Sequence, residues 1–338
     1  MPEAPLHTVP GRHPSSSTGV REDERGTLDV TVVLPCFNEE GHVREEVLRI
    51  ADALERSGLT YEVLAVDDAS TDGTLAVLKR AQQEVPRLRV MTFTHNGGSG
   101  TARRIGTREA FGRYVAWTDA DMTYPNTRIP EFVKVLEDRV DLDQVVGART
   151  SEQGTHKALR VPAKWVVRRL AEVLTGTRIP DLNSGLRVFR RSTALPYLHL
   201  LPPGFSCVTT LTLSFLSNQH PVEYVPIEYL PRQGSSKFHF VKDAYRYLLQ
   251  VLRMIMFFNP LAALMPLALA LLAIGAVKTV FDWALRDFRM ATNTLLLLLS
   301  GLIILAIGLL ADLIVRSRAP FPYEGVPPSG GDGPGRRL

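Results

Sequence analysis

Two aspartates separated by one small residue, Asp119-Ala120-Asp121, follow the apolar run YVAW at residues 114–117. This acidic pair stands at the C-terminal end of a predicted buried strand, which is the edge where open α/β sheets bind ligands. Paired carboxylates there suit a hard cation such as Mg²⁺ or Mn²⁺ that is shared with a substrate phosphate. Acidic pairs are also common in solvated loops, so the rest of the chain must decide between a metal site and an exposed loop.

Strands and helices alternate before this acidic pair. Apolar runs predict four strands, at residues 30–34, 61–66, 88–93 and 114–118, and helical spacing of apolar residues predicts helices between them. Alternation with short turns predicts a mostly parallel central sheet that is covered on both faces. Asp67 and Asp68 end the second strand, so a second acidic pair also stands at a strand C-terminus.

A glycine-rich loop, HNGGSG at residues 95–100, joins the third strand to the next predicted helix. The loop has part of a dinucleotide-binding fingerprint. Arg103 occupies the third glycine position, however, and the first strand–helix unit lacks such a loop, which argues against a Rossmann dehydrogenase. Backbone N–H groups at the start of the following helix could still approach a phosphate.

Length and composition indicate one large globular domain with an accessory part. The chain has 338 residues, of which 45% are hydrophobic, so the bulk of it can bury a core. The net charge is only +4, and no nucleic-acid partner is expected. Cys36 and Cys207 form neither a disulfide framework nor a metal-binding spacing, which predicts a reducing compartment. Residues 1–27 and 316–338 are predicted to be disordered tails, and residues 1–27 lack the apolar segment of a signal peptide.

Two uncharged stretches near the C-terminus, residues 261–277 and 294–311, predict a transmembrane helix hairpin over residues 259–315. A membrane-spanning helix needs about 20 mainly apolar residues. A pair of buried core helices is the alternative, but little chain remains to cover them. The loop between them holds Asp282, Arg286, Asp287 and Arg289, which together have no net charge, while the outer flanks are basic. Because basic residues mark the cytosolic side, the large domain and both chain ends are predicted to be cytosolic, at the cell membrane.

Residues 238–258 mix basic and aromatic residues with apolar ones. This pattern predicts an amphipathic helix that lies on the membrane surface. A helix packed against the preceding domain is the alternative.

Taken together, these motifs resemble those of the family-2 glycosyltransferases, which have the GT-A fold. The resemblance covers about residues 28–240 and consists of PCFNEE at 35–40, VDDASTDGT at 66–74, the segment 96–106, and the pair Asp119 and Asp121. The four motifs occur in the family's order, each at the C-terminus of a strand. The resemblance implies an α/β GT-A nucleotide-sugar-binding domain with a mostly parallel sheet over residues 28–237.

Within that family, the second half of the chain resembles the polyprenyl-phosphate glycosyltransferases of the dolichol-phosphate mannose synthase group. The resembling segments are GAR at 147–149, DLNSGLR at 181–187 and RQGSSK at 232–237, and a two-helix hairpin fits the bacterial members. One residue departs from the pattern: Thr123 stands where the group often has a Gln. The third metal ligand is therefore open between a hydroxyl and a water.

The resemblance implies metal-dependent, inverting transfer of a hexose from GDP-mannose or a UDP-hexose to a polyprenyl monophosphate at the cytosolic membrane face. Asp119 and Asp121 would hold Mg²⁺ or Mn²⁺ against the diphosphate, where the metal polarises the leaving group. Asp67 or Asp68 would accept a hydrogen bond from the nucleobase, with helix capping as the alternative role. Three further residues would line the base and ribose: Pro35, Phe37 and Glu39. For Phe37, core packing is equally plausible.

The acceptor phosphate is already ionised at neutral pH, so positioning matters more than a strong general base. The site needs cations that hold two anionic substrates together, and arginine suits phosphate through its planar fork. The predicted catalytic set is Asp121, Asp181, Arg149, Arg160, Arg232 and Lys237. Arg160 lies in a basic stretch that could instead be a solvated face or contact anionic lipid. Asp181 could orient the acceptor, act as a base, or cap the turn at residues 183–185.

The predicted partners are a nucleotide-sugar donor, a polyprenyl phosphate and the bilayer, and the hairpin could also associate into a dimer or tetramer. Two other functions are considered. A processive polysaccharide synthase uses a Q-x-x-R-W motif, where this chain has QVLRM at 250–254, and two spanning helices are too few to enclose a polymer channel. A non-catalytic, membrane-tethered scaffold that binds a nucleotide sugar would need neither the acidic pair nor Arg232 and Lys237.

Overall fold

The computed structural model describes residues 27–150, 168–169, 172, 176–204, 206–230, 256, 260–285 and 290–317. Seven strands form one sheet: β1 (Leu28–Cys36), β2 (Tyr61–Asp67), β3 (Leu88–Thr92), β4 (Gly112–Trp117), β5 (Gln144–Arg149), β6 (Arg187–Arg190) and β7 (Val222–Ile227). Their order across the sheet is β3-β2-β1-β4-β6-β5-β7. Each of the four strands predicted from apolar runs is present, with its bounds shifted by no more than two residues.

Helices cover both faces of this sheet because its central strands are apolar on both sides. They are α1 (Val43–Ser57), α2 (Thr74–Glu84), α3 (Ser99–Glu109), α4 (Ile129–Asp138), the short α5 (Arg191–Ala194) and α6 (Cys207–Ser217). Along β1, Val32 and Leu34 join the core that contains residues of α1 and α4, whereas Val33 joins the core with Trp117 and residues of α6. Alternation of side chains along a strand produces this division.

The direction of β6 determines which chain segments lie next to the acidic pair at the C-terminal end of β4. The strand pairs β1–β2, β2–β3, β1–β4 and β5–β7 are parallel, whereas β6 runs antiparallel to both β4 and β5. Arg187, at the start of β6, is therefore paired with Trp117 at the end of β4. The segment that precedes β6 therefore lies at the edge of the sheet where Asp119 and Asp121 follow β4.

Two long apolar helices form the C-terminal part of the chain, α7 (Pro260–Leu285) and α8 (Thr292–Ser317). Each is long and apolar enough to cross a membrane. Small residues allow them to pack closely: a Cβ at Gly275 would lie 2.6 Å from Leu298 Cδ2, and one at Gly301 would lie 2.8 Å from Leu272 Cγ. Asp282 accepts hydrogen bonds from Thr294 Oγ1 and from the N–H of Ala291, at 3.0 Å for the latter, and so closes the turn of the hairpin.

The chain divides into two compact units, one that contains the sheet and one that contains the hairpin. The predicted α/β fold with a mostly parallel sheet, followed by two apolar helices, is confirmed. The predicted tails, apart from the described residues Thr27, Arg316 and Ser317, fall outside the described residues, as does the predicted interfacial helix at 238–258 apart from residue 256. Arg160, Arg232 and Lys237 also lie outside them.

Candidate active site

The candidate site lies at the edge of the sheet where the parallel strands β1, β2 and β4 end. In the described part of the chain, four residues other than glycine have a positive φ, and three of them follow these strand ends: Asn38 at 56°, Ala69 at 58° and Met122 at 63°. Residues other than glycine seldom adopt this conformation, and strained residues of this kind cluster at functional sites. The backbone therefore marks the same edge that the acidic residues mark.

Asp119 and Asp121 differ in their surroundings. The side chain of Asp119 is 31% exposed and forms an ion pair with the buried Arg103. Asp121 is only 8% exposed, and its Oδ1 accepts hydrogen bonds from the Thr123 hydroxyl at 2.6 Å and from the Thr123 N–H at 3.3 Å. The side chain of Thr123 is fully buried, so its hydroxyl holds Asp121 in place. Thr123, whose hydroxyl was one of the two candidates for the third metal ligand, thus donates a hydrogen bond to Asp121.

A buried polar network fixes the loop that carries the two aspartates. The Thr118 hydroxyl donates to Asn126 Oδ1 at 2.5 Å, and Asn126 Nδ2 donates to Glu46 Oε1 at 2.6 Å. Arg49 neutralises Glu46 at 2.7 Å and also donates to the carbonyl of Tyr124 at 2.7 Å. Burial raises the pKa of Glu46, and Arg49 and Asn126 oppose that rise. These contacts attach the acidic loop to α1.

The donor atoms of the acidic pair fit a hard divalent cation. They are carboxylate oxygens, one partly exposed, and Mg²⁺ in particular is commonly bound by one or two carboxylates while substrate phosphates and water complete its shell. Among the described residues, no group of three or more His, Cys, Asp or Glu is arranged to hold a metal. A cation here would therefore depend on Asp119, Asp121 and substrate oxygens.

The acidic pair after β2 separates into two roles. Asp68 accepts hydrogen bonds from the N–H groups of Gly97 and Gly98, at 2.6 and 2.8 Å. Burial raises the pKa of Asp68, and the two glycine N–H groups oppose the rise. Asp67 accepts a hydrogen bond from the Thr92 hydroxyl at 3.1 Å through Oδ2, while its Oδ1 is buried and has no hydrogen-bond partner among the described residues. Asp68 therefore holds the glycine-rich loop, and Asp67 keeps Oδ1 as a hydrogen-bond acceptor.

The loops after β1 and β2 are interlocked by side chains. The N–H of Thr71 donates to Asn38 Oδ1 at 2.8 Å, and that of Gly73 donates to Glu40 Oε2 at 2.7 Å. Three residues predicted to line a nucleotide are each partly exposed at this edge: Pro35, Phe37 and Glu39. Their predicted contacts with a base and ribose remain predictions.

The glycine-rich loop makes its contacts within the protein. Besides the two glycine N–H groups held by Asp68, the N–H of Gly100 donates to Pro203 O at 2.7 Å. These three amides at the start of α3 are engaged, so they offer no support for the expectation that this helix terminus approaches a phosphate.

Arg149 and Asp181 form a two-pronged ion pair close to the acidic loop. Nε of Arg149 donates to Oδ2 at 2.7 Å and Nη2 donates to Oδ1 at 3.0 Å. The backbone N–H groups of Arg149 and Asn183 also donate to Asp181. Burial alone would raise the pKa of Asp181, but the Arg149 guanidinium and the backbone N–H groups of Asn183 and Arg149 together lower it. Asp181 thus has the contacts expected of a turn cap and of a partner for Arg149.

The loop at residues 181–187 touches the acidic loop directly. The N–H of Gly185 donates to the Tyr124 hydroxyl at 2.7 Å. A Cβ on Gly185 would lie 3.0 Å from Asp119 Oδ2, so only glycine permits this approach without displacement of a neighbour. The structure therefore brings together four of the predicted residues: Asp119, Asp121, Arg149 and Asp181.

Sequence reasoning missed the buried arginines that support this edge. Arg187 donates to Val208 O at 2.7 Å and to Thr212 Oγ1 at 2.8 Å, and burial lowers its pKa to about 10. Arg103 is also buried and supports Asp119 through its ion pair. An arginine within a segment of small or apolar residues could have indicated a buried, supporting arginine. The spacing of residues alone, however, does not distinguish a buried arginine from a solvent-exposed one.

Comparison with known proteins is consistent with this geometry. Residues 31–195 match the model for glycosyl transferase family 2, and residues 259–317 match the GtrB C-terminal hairpin. The chain is 27% identical over 304 residues to the dodecaprenyl-phosphate galacturonate synthase of Rhizobium johnstonii, which covers 86% of this chain and 89% of that protein. It is 28% identical over 299 residues to an undecaprenyl-phosphate 4-deoxy-4-formamido-L-arabinose transferase of an Enterobacter strain, covering 85% of this chain and 88% of that protein.

Solved structures of low sequence identity share the fold. A glucosyl-3-phosphoglycerate synthase from Mycobacterium tuberculosis, solved with Mn²⁺, uridine diphosphate and glucosyl-3-phosphoglycerate, has a TM-score of 0.53 and 19% sequence identity. The match covers 72% of this chain and 86% of that one. The fold of the predicted GT-A domain is therefore confirmed.

Proposed function

We propose that this chain, whose residues 31–195 match glycosyl transferase family 2 and whose residues 259–317 match the GtrB C-terminal hairpin, transfers a sugar from a nucleotide diphosphate to a polyprenyl monophosphate. One observation carries the proposal: the loop that begins with Asp181, the ion-pair partner of Arg149, contacts the acidic loop through Gly185, which approaches Asp119 and donates to Tyr124. A diphosphate on the carboxylate side and a lipid phosphate on the arginine side would then meet across the sugar. Two relatives whose names specify a polyprenyl phosphate support this choice of acceptor.

On the donor side, Asp119 and Asp121 would hold Mg²⁺ or Mn²⁺. When bound there, the cation would neutralise charge that develops on the departing diphosphate. Arg103 keeps Asp119 in place through its ion pair, and Thr123 orients Asp121. Asp67 has a buried Oδ1 that could accept a hydrogen bond from the nucleobase, whereas Asp68 acts through the glycine loop. Pro35, Phe37 and Glu39 would line the base and ribose.

On the acceptor side, Arg149 would bind the lipid phosphate together with Arg160, Arg232 and Lys237. Because the phosphate is ionised at neutral pH, it can attack without first losing a proton. Asp181 then acts as the partner that orients Arg149, which agrees with its lowered pKa and its contacts. Attack from the face opposite the leaving diphosphate would invert the anomeric carbon.

The proposed donor is a UDP- or GDP-sugar, with a hexose as the first candidate. The printed names of the two relatives concern galacturonate and 4-deoxy-4-formamido-L-arabinose, so the donor panel should include acidic and amino sugars. We place the catalytic domain at the cytosolic face, with the hairpin in the membrane. There the enzyme can reach a prenyl chain whose exposure to water costs about 0.8 kcal/mol per CH₂.

The test uses membranes that contain the full chain, undecaprenyl phosphate, Mg²⁺ or Mn²⁺, and a panel of labelled UDP- and GDP-sugars. We expect one donor to label the lipid fraction. Asp119→Asn and Asp121→Asn should each lower this transfer by about 100-fold or more, because each removes a carboxylate that holds the cation. Asp138→Asn, at an exposed position in α4, is the matched control and should transfer at the normal rate.

Absence of lipid labelling with every donor would contradict the proposed reaction. Normal transfer by both aspartate variants would instead show that the acidic pair holds no essential metal. Release of free sugar without lipid product would indicate a water-directed reaction.

A further inference from the structure

We propose that Tyr124 is a positioning residue that fixes the loop at residues 181–187 to the acidic loop and thereby sets the position of Arg149. The inference rests on the proposed function and deepens it, because it names the side chain that keeps the donor side and the acceptor side in register. Tyr124 follows Asp121 by three residues, and no role was predicted for it from the sequence.

The position of Tyr124 is fixed by contacts outside the 181–187 loop. Its side chain is 2% exposed and belongs to the core that contains residues of α1 and α4. Its carbonyl accepts a hydrogen bond from Arg49 Nη2 at 2.7 Å, and Arg49 forms an ion pair with the fully buried Glu46 in α1. The ring also meets Tyr229 edge to face, with centroids 5.1 Å apart. These contacts hold the Tyr124 hydroxyl in one place.

That hydroxyl accepts a hydrogen bond from the 181–187 loop. The N–H of Gly185 donates to it at 2.7 Å, and both residues are buried. A buried N–H that loses its acceptor costs free energy, because no water takes the place of the lost partner. The missing side chain of Gly185 permits the approach, since a Cβ there would lie 3.2 Å from the Tyr124 hydroxyl oxygen and 3.0 Å from Asp119 Oδ2. The hydrogen bond thus joins the two loops beside Asp119.

The same loop carries the ion-pair partner of Arg149. Asp181 begins the loop and accepts hydrogen bonds from Arg149 Nε at 2.7 Å and from Nη2 at 3.0 Å. The N–H of Asn183 donates to Asp181 Oδ1 at 3.0 Å, which links Asp181 to the middle of the loop. A shift of Gly185 would therefore displace Asp181, and with it the guanidinium that we propose binds the lipid phosphate.

The acidic pair itself has other supports. Asp119 forms an ion pair with Arg103, and Asp121 accepts a hydrogen bond from the Thr123 hydroxyl. Removal of the Tyr124 hydroxyl should therefore impair the acceptor side and leave the donor side unchanged. A tyrosine that served packing alone would affect both sides equally or neither, so the two sides distinguish positioning from packing.

The experiment compares Tyr124→Phe with the wild type in the full chain, purified in detergent with lipid. Amide hydrogen exchange at Gly185, followed by mass spectrometry of peptides that span residues 181–187, should be about 5- to 50-fold faster in the variant, because this N–H loses its acceptor. The KM for undecaprenyl phosphate, measured with the donor that labels lipid, should rise by a similar factor of about 5- to 50-fold. The donor KM should remain unchanged.

Tyr61→Phe is the matched control. Tyr61 is 4% exposed, belongs to the same core and donates through its hydroxyl to Glu55 at 3.0 Å. It begins β2, at the opposite end of that strand from Asp67. This variant should have wild-type exchange at residues 181–187 and a wild-type KM for both substrates, whatever its melting temperature.

Gly185→Ala acts on the same contact from the other loop. The added methyl group must press against Tyr124 and against Asp119, so the KM values of acceptor and donor should both rise. In the double variant Tyr124→Phe/Gly185→Ala, the acceptor KM should rise by less than the product of the two single effects, because both changes act on one hydrogen bond.

Wild-type exchange at residues 181–187 in Tyr124→Phe would overturn the inference, and so would a wild-type acceptor KM or an equal rise of both KM values in that variant. Independent, multiplicative effects in the double variant would also count against it. If the wild type labels no lipid with any donor, the proposed function fails, while the exchange rates still show whether Tyr124 holds the loop.

Discussion

Asp181 was expected to act as a base, to orient the acceptor, or to cap a turn, and its contacts distinguish these roles. Both carboxylate oxygens accept hydrogen bonds from Arg149 or from backbone N–H groups. A carboxylate with a lowered pKa is a weak base, and a phosphate acceptor does not require one. The contacts favour a residue that orients Arg149 and holds the turn at Asn183.

Replacement of Asp181 by Asn should therefore lower transfer by the same factor at every pH from 6 to 9. The folded-state pKa is depressed, so the stabilisation by ionised Asp181 is fully present above its unfolded pKa of about 3.9 and is lost only as pH falls through the folded value. The variant should show a raised acceptor KM, because Arg149 loses its charged partner. The pH profiles of kcat and KM for both enzymes provide the measurement. Loss of an ascending limb in the kcat profile of the variant would identify Asp181 as a base.

At the scale of elements, the glycine-rich loop and α3 are held by the segment at residues 202–204. Gly98 has a φ of 80°, and a Cβ there would lie 2.4 Å from Pro203 O. A Cβ at Gly100 would lie 2.1 Å from Pro202 O and 2.7 Å from Gly204 O. The two segments are in direct backbone contact, through the hydrogen bond from Gly100 N–H to Pro203 O, although they lie about a hundred residues apart in the chain.

Gly100→Ala should consequently destabilise the domain by about 1–3 kcal/mol, because an added methyl group must displace backbone. It should also raise the donor KM, since the loop that Asp68 holds begins α3. Gly204→Ala is the control: no heavy atom lies within 4 Å of its added Cβ, and it should match the wild type. Thermal unfolding and donor titration would check both. Equal melting temperatures for the two variants would refute the close-approach explanation.

At the scale of the whole molecule, the charged residues beside the two apolar helices predict the orientation of the chain in the membrane. Asp282, Arg286, Asp287 and Arg289, near the turn between these helices, together carry no net charge, whereas the outer flanking segments are basic. Because basic flanks tend to remain on the cytosolic side, we predict that the connecting segment lies outside the cell and the catalytic domain inside.

Arg286→Cys should therefore react with a membrane-impermeant maleimide in intact cells. Ser329→Cys should react only after the membrane is permeabilised. The native Cys36 and Cys207 are both buried, so the background from the folded protein should be low. The reverse pattern of labelling would place the catalytic domain on the opposite face.

The amino-acid sequence by itself determined the four parallel strands of the first half, their turns and the two apolar helices. Apolar periodicity and turn residues are local, so strand and helix bounds can be derived without knowledge of distant contacts. The acidic residues at strand ends followed from the same pattern. The sequence also distinguished the family, because its motifs occur in order at those strand ends.

Only the tertiary structure decided how the two halves of the site meet. The antiparallel insertion of β6 between β4 and β5 places Gly185 beside Asp119, and no local pattern specifies that pairing. The tertiary structure also brings Asp68 to the glycine-rich loop and Thr123 to Asp121. These roles depend on which partners burial brings within hydrogen-bonding distance, and residue type and spacing do not carry that information.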